Sequence, residues 1–211
     1  MVALTRTALR LDATPADLDR WRQQFATTHT VGWPGFLAPD LSGLVRRRLA
    51  VAPITLRTEG TREIEHVLDD AVLLGALQAV LGDPALWRFI ESVTGCRPIS
   101  TFSGRIYRRA SRPGGDHYFP WHNDVIDGRL VGLSINLSEQ PYRGGRLQIR
   151  EAATARPLAD VATEAFGDAM IFRIDEALEH QVTPVEGDAP RTVLAGWFRE
   201  GVDYWSLVRQ P

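Results

Sequence analysis

Apolar residues recur every three to four positions through the first half of the chain and alternate with polar ones in short runs after it. In "TPADLDRWRQQF", Leu18, Trp21 and Phe25 form a helical stripe. The stretch opens with Thr14 at the N-cap, Pro15 in the first helical position and Asp17 in the first turn, each a helix-start signal. "FLAPDLSGLVRRRLA" repeats the logic with Leu41, Leu44, Val45 and Leu49, and its run Arg46 to Arg48 reads as a solvated face. "DDAVLLGALQAVLG" and "DPALWRFIESVTG" predict two more helices. The second is capped by Asp83 and Pro84, buries Leu86, Phe89, Ile90 and Val93, and stops at Gly95.

From about residue 98 the period shortens. "ISTFSGRIYRR", "HYFPWHND", "RLVGLSINLS", "GRLQIRE", "DAMIFRI", "EHQVTPV" and "RTVLAGWFRE" are rich in β-branched and aromatic residues. Pro113-Gly114-Gly115, Asp127-Gly128, Gly144-Gly145 and Gly187-Asp188 mark turns between them. Seven or eight such strands predict a mainly β protein, a sandwich or barrel with a jelly-roll-like double sheet among the candidates. Helices packed on one face of that sheet are a simpler arrangement than two separate domains. The expectation is one domain over 1–211, with 1–97 a mostly helical support region and 98–200 the β core.

Composition narrows the functional classes. At 211 residues and 44% hydrophobic content the chain can bury one sizeable core. A net charge of −2 provides no global field to recruit nucleic acid. All 24 basic residues are arginine, so Schiff-base chemistry on lysine is excluded and any carboxylate clamp is built from arginine. The single cysteine, Cys96, rules out an intrachain disulfide and argues against a thiolate metal cluster. "MVALTRTALRLDATP" lacks an apolar signal core, and no run reaches membrane-spanning length. The expected address is the cytoplasm, with no membrane partner and an oligomeric state left open.

The chemistry concentrates in "WHND". On a strand, His122 and Asp124 point to one face and Asn123 to the other. A His-x-Asp pair supplies two of the three ligands of the two-histidine, one-carboxylate facial triad found in non-heme Fe(II) oxygenases. Alone it recurs by chance. His29 and His66 lie in the helical half and His117 in the turn entering the strand, so His180 is the best second histidine; its bland alternative is a histidine hydrogen-bonded at a strand edge. Arg191 follows eleven positions later and shares a strand face with Val193, Ala195 and Trp197. An arginine opening an apolar face is costly unless it meets an anion, and its fork suits a carboxylate.

This set, His122-x-Asp124, His180 and Arg191, resembles the Fe(II)- and 2-oxoglutarate-dependent dioxygenase superfamily, especially its prolyl 4-hydroxylase-like branch. "GGRLQIRE" is similar to that family's Gly-Gly lead-in to a strand, "FGDAMIF" to the turn and strand before its second histidine, and "GWF" to its closing strand. "TVGWPGFLAPDL" resembles its opening segment, so the likeness spans most of residues 30 to 199. It implies a double-stranded β-helix core. It makes His122, Asp124 and His180 the iron ligands and Arg191 the partner of the 2-oxoglutarate C5 carboxylate. Tyr107 falls where the family often places a tyrosine near the cosubstrate, with a core strand tyrosine as the alternative. Asn136 stands where many members carry another tyrosine, so Ser134 or Asn136 is left to make the second polar contact. Trp121 and Trp197 are candidates for lining the pocket or for core.

The resemblance further implies Fe(II), 2-oxoglutarate and O₂ as requirements, with ascorbate as the candidate reductant. The expected reaction is oxidative decarboxylation to succinate and CO₂ coupled to hydroxylation of an unactivated C–H bond. Halogenating relatives lack the carboxylate ligand, and Asp124 is present here. A cupin-like metal-binding or sensing protein, and a zinc hydrolase on the same ligands, are the competing classes; Arg191 and the glycine segments argue against both. The substrate is a peptidyl or free amino acid or a small metabolite. Arg105, Arg108, Arg109 and Arg112 before the metal strand form either a basic rim or a solvated strand end, and the Pro113-Gly114-Gly115 tip is a candidate lid.

Overall fold

A computed structural model describes residues 1–59, 63–110 and 119–201. In chain order the elements are β1 (Val2–Leu4), β2 (Leu9–Leu11), α1 (Pro15–Thr28), β3 (Thr30–Trp33), α2 (Pro39–Leu49), β4 (Ile54–Glu59), β5 (Glu63–Leu68), α3 (Ala71–Leu81) and α4 (Pro84–Thr94). The second half follows with β6 (Thr101–Arg109), β7 (Phe119–His122), β8 (Arg129–Asn136), β9 (Arg143–Gly144), β10 (Leu147–Glu151), β11 (Pro157–Val161), β12 (Ala169–Arg173), β13 (Leu178–Val182), β14 (Val185–Glu186) and β15 (Arg191–Arg199).

All four expected helices form, α1 and α4 where their end signals place them. Thr14 and Asp17 make a reciprocal capping box at α1, satisfying two of the amides a helix start leaves unpaired. Asp70 and Asp83 cap α3 and α4 through their side chains. Gly95 ends α4 in the left-handed conformation, at φ 66°, that glycine adopts without strain.

The strands build two facing sheets of the double-stranded β-helix. The larger runs β3-β12-β8-β15-β6-β5-β4 and the smaller β11-β10-β13-β7, with the pairings along them antiparallel. Alternation sorts the larger sheet's side chains. Leu133, Ile135, Leu194 and Phe198 face the helices and join Trp21, Phe25, Leu41 and Ile90 in the main core. Full burial of each such side chain contributes about 1.5–3 kcal/mol. The opposite face turns Met170 and Phe172 toward Leu147, Ile149 and Leu178 of the smaller sheet, forming a second apolar cluster that Trp197 packs against. The site lies between the sheets, beside this cluster.

The first half also holds five strands that its hydrophobic pattern did not predict. β3 extends one edge of the larger sheet through β12, and the β4–β5 hairpin extends the other through β6. β1 and β2 span three residues each, too short for a period to register. Among the described residues, no helix is long and apolar enough to cross a membrane.

Candidate metal centre

Two strands of the smaller sheet bring the histidines together. β7 pairs with β13 so that His122 lies directly opposite His180, their ring centroids 4.3 Å apart. His122 Nδ1 sits 2.6 Å from the Pro120 carbonyl oxygen. With its proton donated there, Nε2 presents a lone pair, the arrangement that orients metal-binding histidines.

Asp124 arrives by a different route from the one its sequence suggested. Strand alternation does not place it: β7 ends at His122, and Asp124 has a left-handed backbone at φ 57°. Asn123 Oδ1 accepts from the Val125 amide at 3.2 Å, and the Ile126 amide donates to the Asp124 carbonyl at 2.8 Å. This tight turn swings the carboxylate back over the two rings. Asp124 Oδ2 is 3.6 Å from His180 Nε2 and 3.9 Å from His122 Nε2. One donor atom from each of the three residues lies within 4.8 Å of the others. Donor atoms that share an ion stand closer together than this, so the set would close by contracting around a metal.

The protonation states suit the same purpose. Burial pushes the Asp124 carboxyl upward, but its hydrogen bond to His180, the charge there and the Trp197 N–H outweigh it and lower the pKa to about 2. Burial pushes the His180 imidazole down against the pull of Asp124. At neutral pH the centre therefore offers a carboxylate and a buried histidine that favours its neutral form, both ready to bind a cation without first losing a proton.

Arg191 opens β15 and is 4% exposed. Its Nη2 donates to Ser134 Oγ at 3.2 Å, while Nε and Nη1 have no hydrogen-bond partner among the described residues. Burial opposes the charge on this guanidinium, and the phenols of Tyr107 and Tyr142 beside it favour it. A buried guanidinium with two unpaired N–H directions costs several kcal/mol unless an anion meets it. Arg191 lines the same cavity as the three metal-type donors, about 460 Å³ in volume, with Tyr107, Ser134 and Trp197 also in its wall. A carboxylate fits the orphaned fork, and a divalent ion fits the two nitrogens and one oxygen.

Asn136 is directed elsewhere, although parity puts it on the face of Ser134. Its Nδ2 donates to the carbonyls of Thr163 and Glu164, and its Oδ1 accepts from the Ser138 amide. It ties β8 to a neighbouring loop and is not part of the cavity wall, whereas Ser134 is. Trp197 does more than line the wall: its indole N–H donates to Asp124 Oδ2 at 2.9 Å. Trp121 lies under the Arg150 guanidinium, 4.1 Å from its ring centre. His29 ends α1, and His66 lies on β5 rather than on a helix. His117, Arg112 and the Pro113-Gly114-Gly115 tip lie outside the described residues.

Two residues of the site were not anticipated. Arg129 donates to Asp124 Oδ1 at 2.9 Å. Tyr142 stands beside Arg191 and donates to the Thr163 carbonyl at 3.3 Å. The Asp127-Gly128 turn immediately before Arg129 was the signal that this arginine folds back toward Asp124.

Comparison with known proteins agrees with this geometry. Residues 107–199 match the profile of the 2OG-Fe(II) oxygenase superfamily. Searched against curated proteins, the chain has no match. Among solved structures it is similar to an oxidoreductase of the 2OG-Fe(II) oxygenase family from Burkholderia pseudomallei, at 18% identity and a TM-score of 0.65, covering 94% of this chain and 96% of that one. A Pseudomonas putida prolyl-4-hydroxylase aligns at 23% identity and a TM-score of 0.59, over 87% of this chain and 99% of its own. The alpha-ketoglutarate-dependent epimerase SnoN of nogalamycin biosynthesis aligns at 17% identity and 0.64, over 89% and 84%. At these identities the structures speak to the fold.

Proposed function

We propose that this chain, whose residues 107–199 match the profile of the 2OG-Fe(II) oxygenase superfamily, is a hydroxylase in which His122, Asp124 and His180 hold Fe(II) and Arg191 holds 2-oxoglutarate. The observation that carries the reading is the buried, half-satisfied Arg191 in one cavity with the three metal-type donors. A metal-binding or sensing protein needs the donors but has no use for that arginine.

When bound, iron and 2-oxoglutarate supply the O₂-activating chemistry that yields succinate and CO₂ and places an oxygen atom on a C–H bond. The chain's own residues do the rest. Arg191 takes the C5 carboxylate through Nε and Nη1, with Ser134 and Tyr107 beside it. His122 and His180 offer Nε2, and Asp124 offers Oδ2. Leu147, Met170, Phe172 and Val182 line the cavity with apolar surface, which excludes bulk water and strengthens the polar contacts inside. The substrate is a peptidyl or free amino acid or a small metabolite.

The test is 2-oxoglutarate titration of the anaerobic Fe(II) protein, followed by its charge-transfer absorption. Charge-assisted hydrogen bonds contribute about 1.5–3 kcal/mol, so Arg191→Ala weakens cosubstrate binding roughly ten- to a hundredfold while iron binds normally. Arg191→Lys restores part of the loss, because an ammonium is a point charge rather than a fork. Incubating wild type with Fe(II), 2-oxoglutarate and substrate pools gives succinate and a product heavier by one oxygen. No absorption change in wild type would favour the metal-binding alternative, and unchanged affinity in Arg191→Ala would remove the clamp.

A further inference from the structure

We infer that Arg129 and Trp197 form a clamp on Asp124 that turns one carboxylate oxygen toward the metal position and holds the other away from it. The inference rests on the reading of His122, Asp124 and His180 as metal ligands. Arg129 Nη1 takes Oδ1 at 2.9 Å, and Trp197 Nε1 takes Oδ2 at 2.9 Å. Oδ2 is the oxygen that faces both histidine Nε2 atoms. An unheld carboxylate rotates about its last bond and can offer both oxygens to a cation. Here the guanidinium occupies Oδ1, so Asp124 would offer a cation a single ligand atom.

The two halves of the clamp brace each other. The Arg129 guanidinium carbon lies 3.7 Å from the centre of the Trp197 ring, a stacked cation–π contact. Both stand on the larger sheet, Arg129 at the start of β8 and Trp197 on β15, which pair directly. The Arg129 amide donates to the Ile126 carbonyl at 3.1 Å, closing the turn that directly follows the one carrying Asp124. Asp124 is left-handed without being a glycine, a conformation that persists where its surroundings determine it. Strand, turn and side chain thus fix a ligand that leaves its own strand before it reaches the metal.

Electrostatics alone predicts the opposite outcome, which makes the inference sharp. A cation beside a divalent ion repels it, so deleting Arg129 would tighten metal binding if charge were its only contribution. Positioning predicts weaker binding, since loss of a ligand's hydrogen-bond partner typically costs ten- to a hundredfold in metal affinity.

Mn(II) affinity, read from the free-ion electron paramagnetic resonance signal, tests this on wild type, Arg129→Gln, Arg129→Lys and Trp197→Phe. Melting temperature of the apo proteins is followed in parallel. Arg129→Gln and Trp197→Phe should each weaken Mn(II) by about tenfold or more. Arg129→Lys, keeping charge but not the fork, should fall between Arg129→Gln and wild type. Trp197→Phe keeps the ring and loses only the N–H, so it carries the test if Arg129→Gln fails to fold. Equal or tighter Mn(II) binding in Arg129→Gln and Trp197→Phe overturns the clamp, even if their melting temperatures drop. Wild type that does not bind Mn(II) overturns the metal-site reading, and the clamp with it.

Discussion

Replacing Gly145 by alanine should impair 2-oxoglutarate binding without touching the metal. Gly145 follows β9 with φ at 61°, a conformation that costs a residue bearing a Cβ about 1–2 kcal/mol. A Cβ there would lie 2.5 Å from Arg191 Cδ, 3.2 Å from its Nε and 3.0 Å from Tyr142 Cε2. Real carbon–carbon contacts stand near 3.5–4.0 Å, so something must move by about an ångström. Backbone strain falls on stability, while the collision falls on Arg191, which yields by shifting within the cavity it lines. A guanidinium pushed off its fork geometry loses part of the charge-assisted bond that the proposed function gives it with the C5 carboxylate. Losing half to all of about 1.5–3 kcal/mol corresponds to between a few-fold and a hundredfold weaker binding. The assay is 2-oxoglutarate titration of the anaerobic Fe(II) protein, alongside Mn(II) affinity and melting temperature. Folded Gly145→Ala with wild-type 2-oxoglutarate affinity would refute the argument. So would a parallel loss of Mn(II), because Gly145 touches Arg191 and none of the metal donors.

Two further outcomes follow from packing and from titration. At Gly132 a Cβ would sit 2.2 Å from Phe172 Cζ, and Phe172 lies against His180 with ring centroids 4.7 Å apart. Gly132→Ala should therefore cost about 1–3 kcal/mol by overpacking and also weaken Mn(II); full metal affinity in the variant would uncouple Phe172 from His180. His29 caps α1 at φ 59°, and burial, followed by the Arg173 charge, holds its pKa below 6.5. The folded state then binds fewer protons than the unfolded one below that pH, so His29 contributes stability above about pH 6.5 that is lost on acidification. His29→Asn, which tolerates the left-handed cap, should flatten that part of the pH–stability curve in urea unfolding and leave iron affinity unchanged.

The helices were legible because their start and stop signals act locally. Thr14, Asp17, Asp83 and Gly95 each satisfy or end a helix using groups within a few residues of themselves. The edge strands were not, because β3 and the β4–β5 hairpin exist by pairing with β12 and β6, partners far away in the chain. The site shows the same division. Arg191 and Trp197 sit on the strand face that alternation assigns them, since β15 is a regular nine-residue strand held on both sides. Asn136 obeys that parity too, yet its amide is spent on Thr163 and Glu164, carbonyls that only the tertiary fold brings near.

Asp124 is the instructive case. His-x-Asp spacing pointed to a pair that the fold does bring together, but for a reason that does not hold, because the strand ends at His122 and a left-handed turn replaces alternation. A carboxylate on a regular strand would be confined by its backbone and by neighbours along one face. On a turn it has a wider range of directions, and something outside the motif must select one. The distances identify Arg129 and Trp197 as the groups in position to do so. The three metal-type donors can therefore be read from a short motif and a later histidine. Their aim depends on residues five and seventy-three positions beyond Asp124, and that dependence is visible only once β8 and β15 lie side by side.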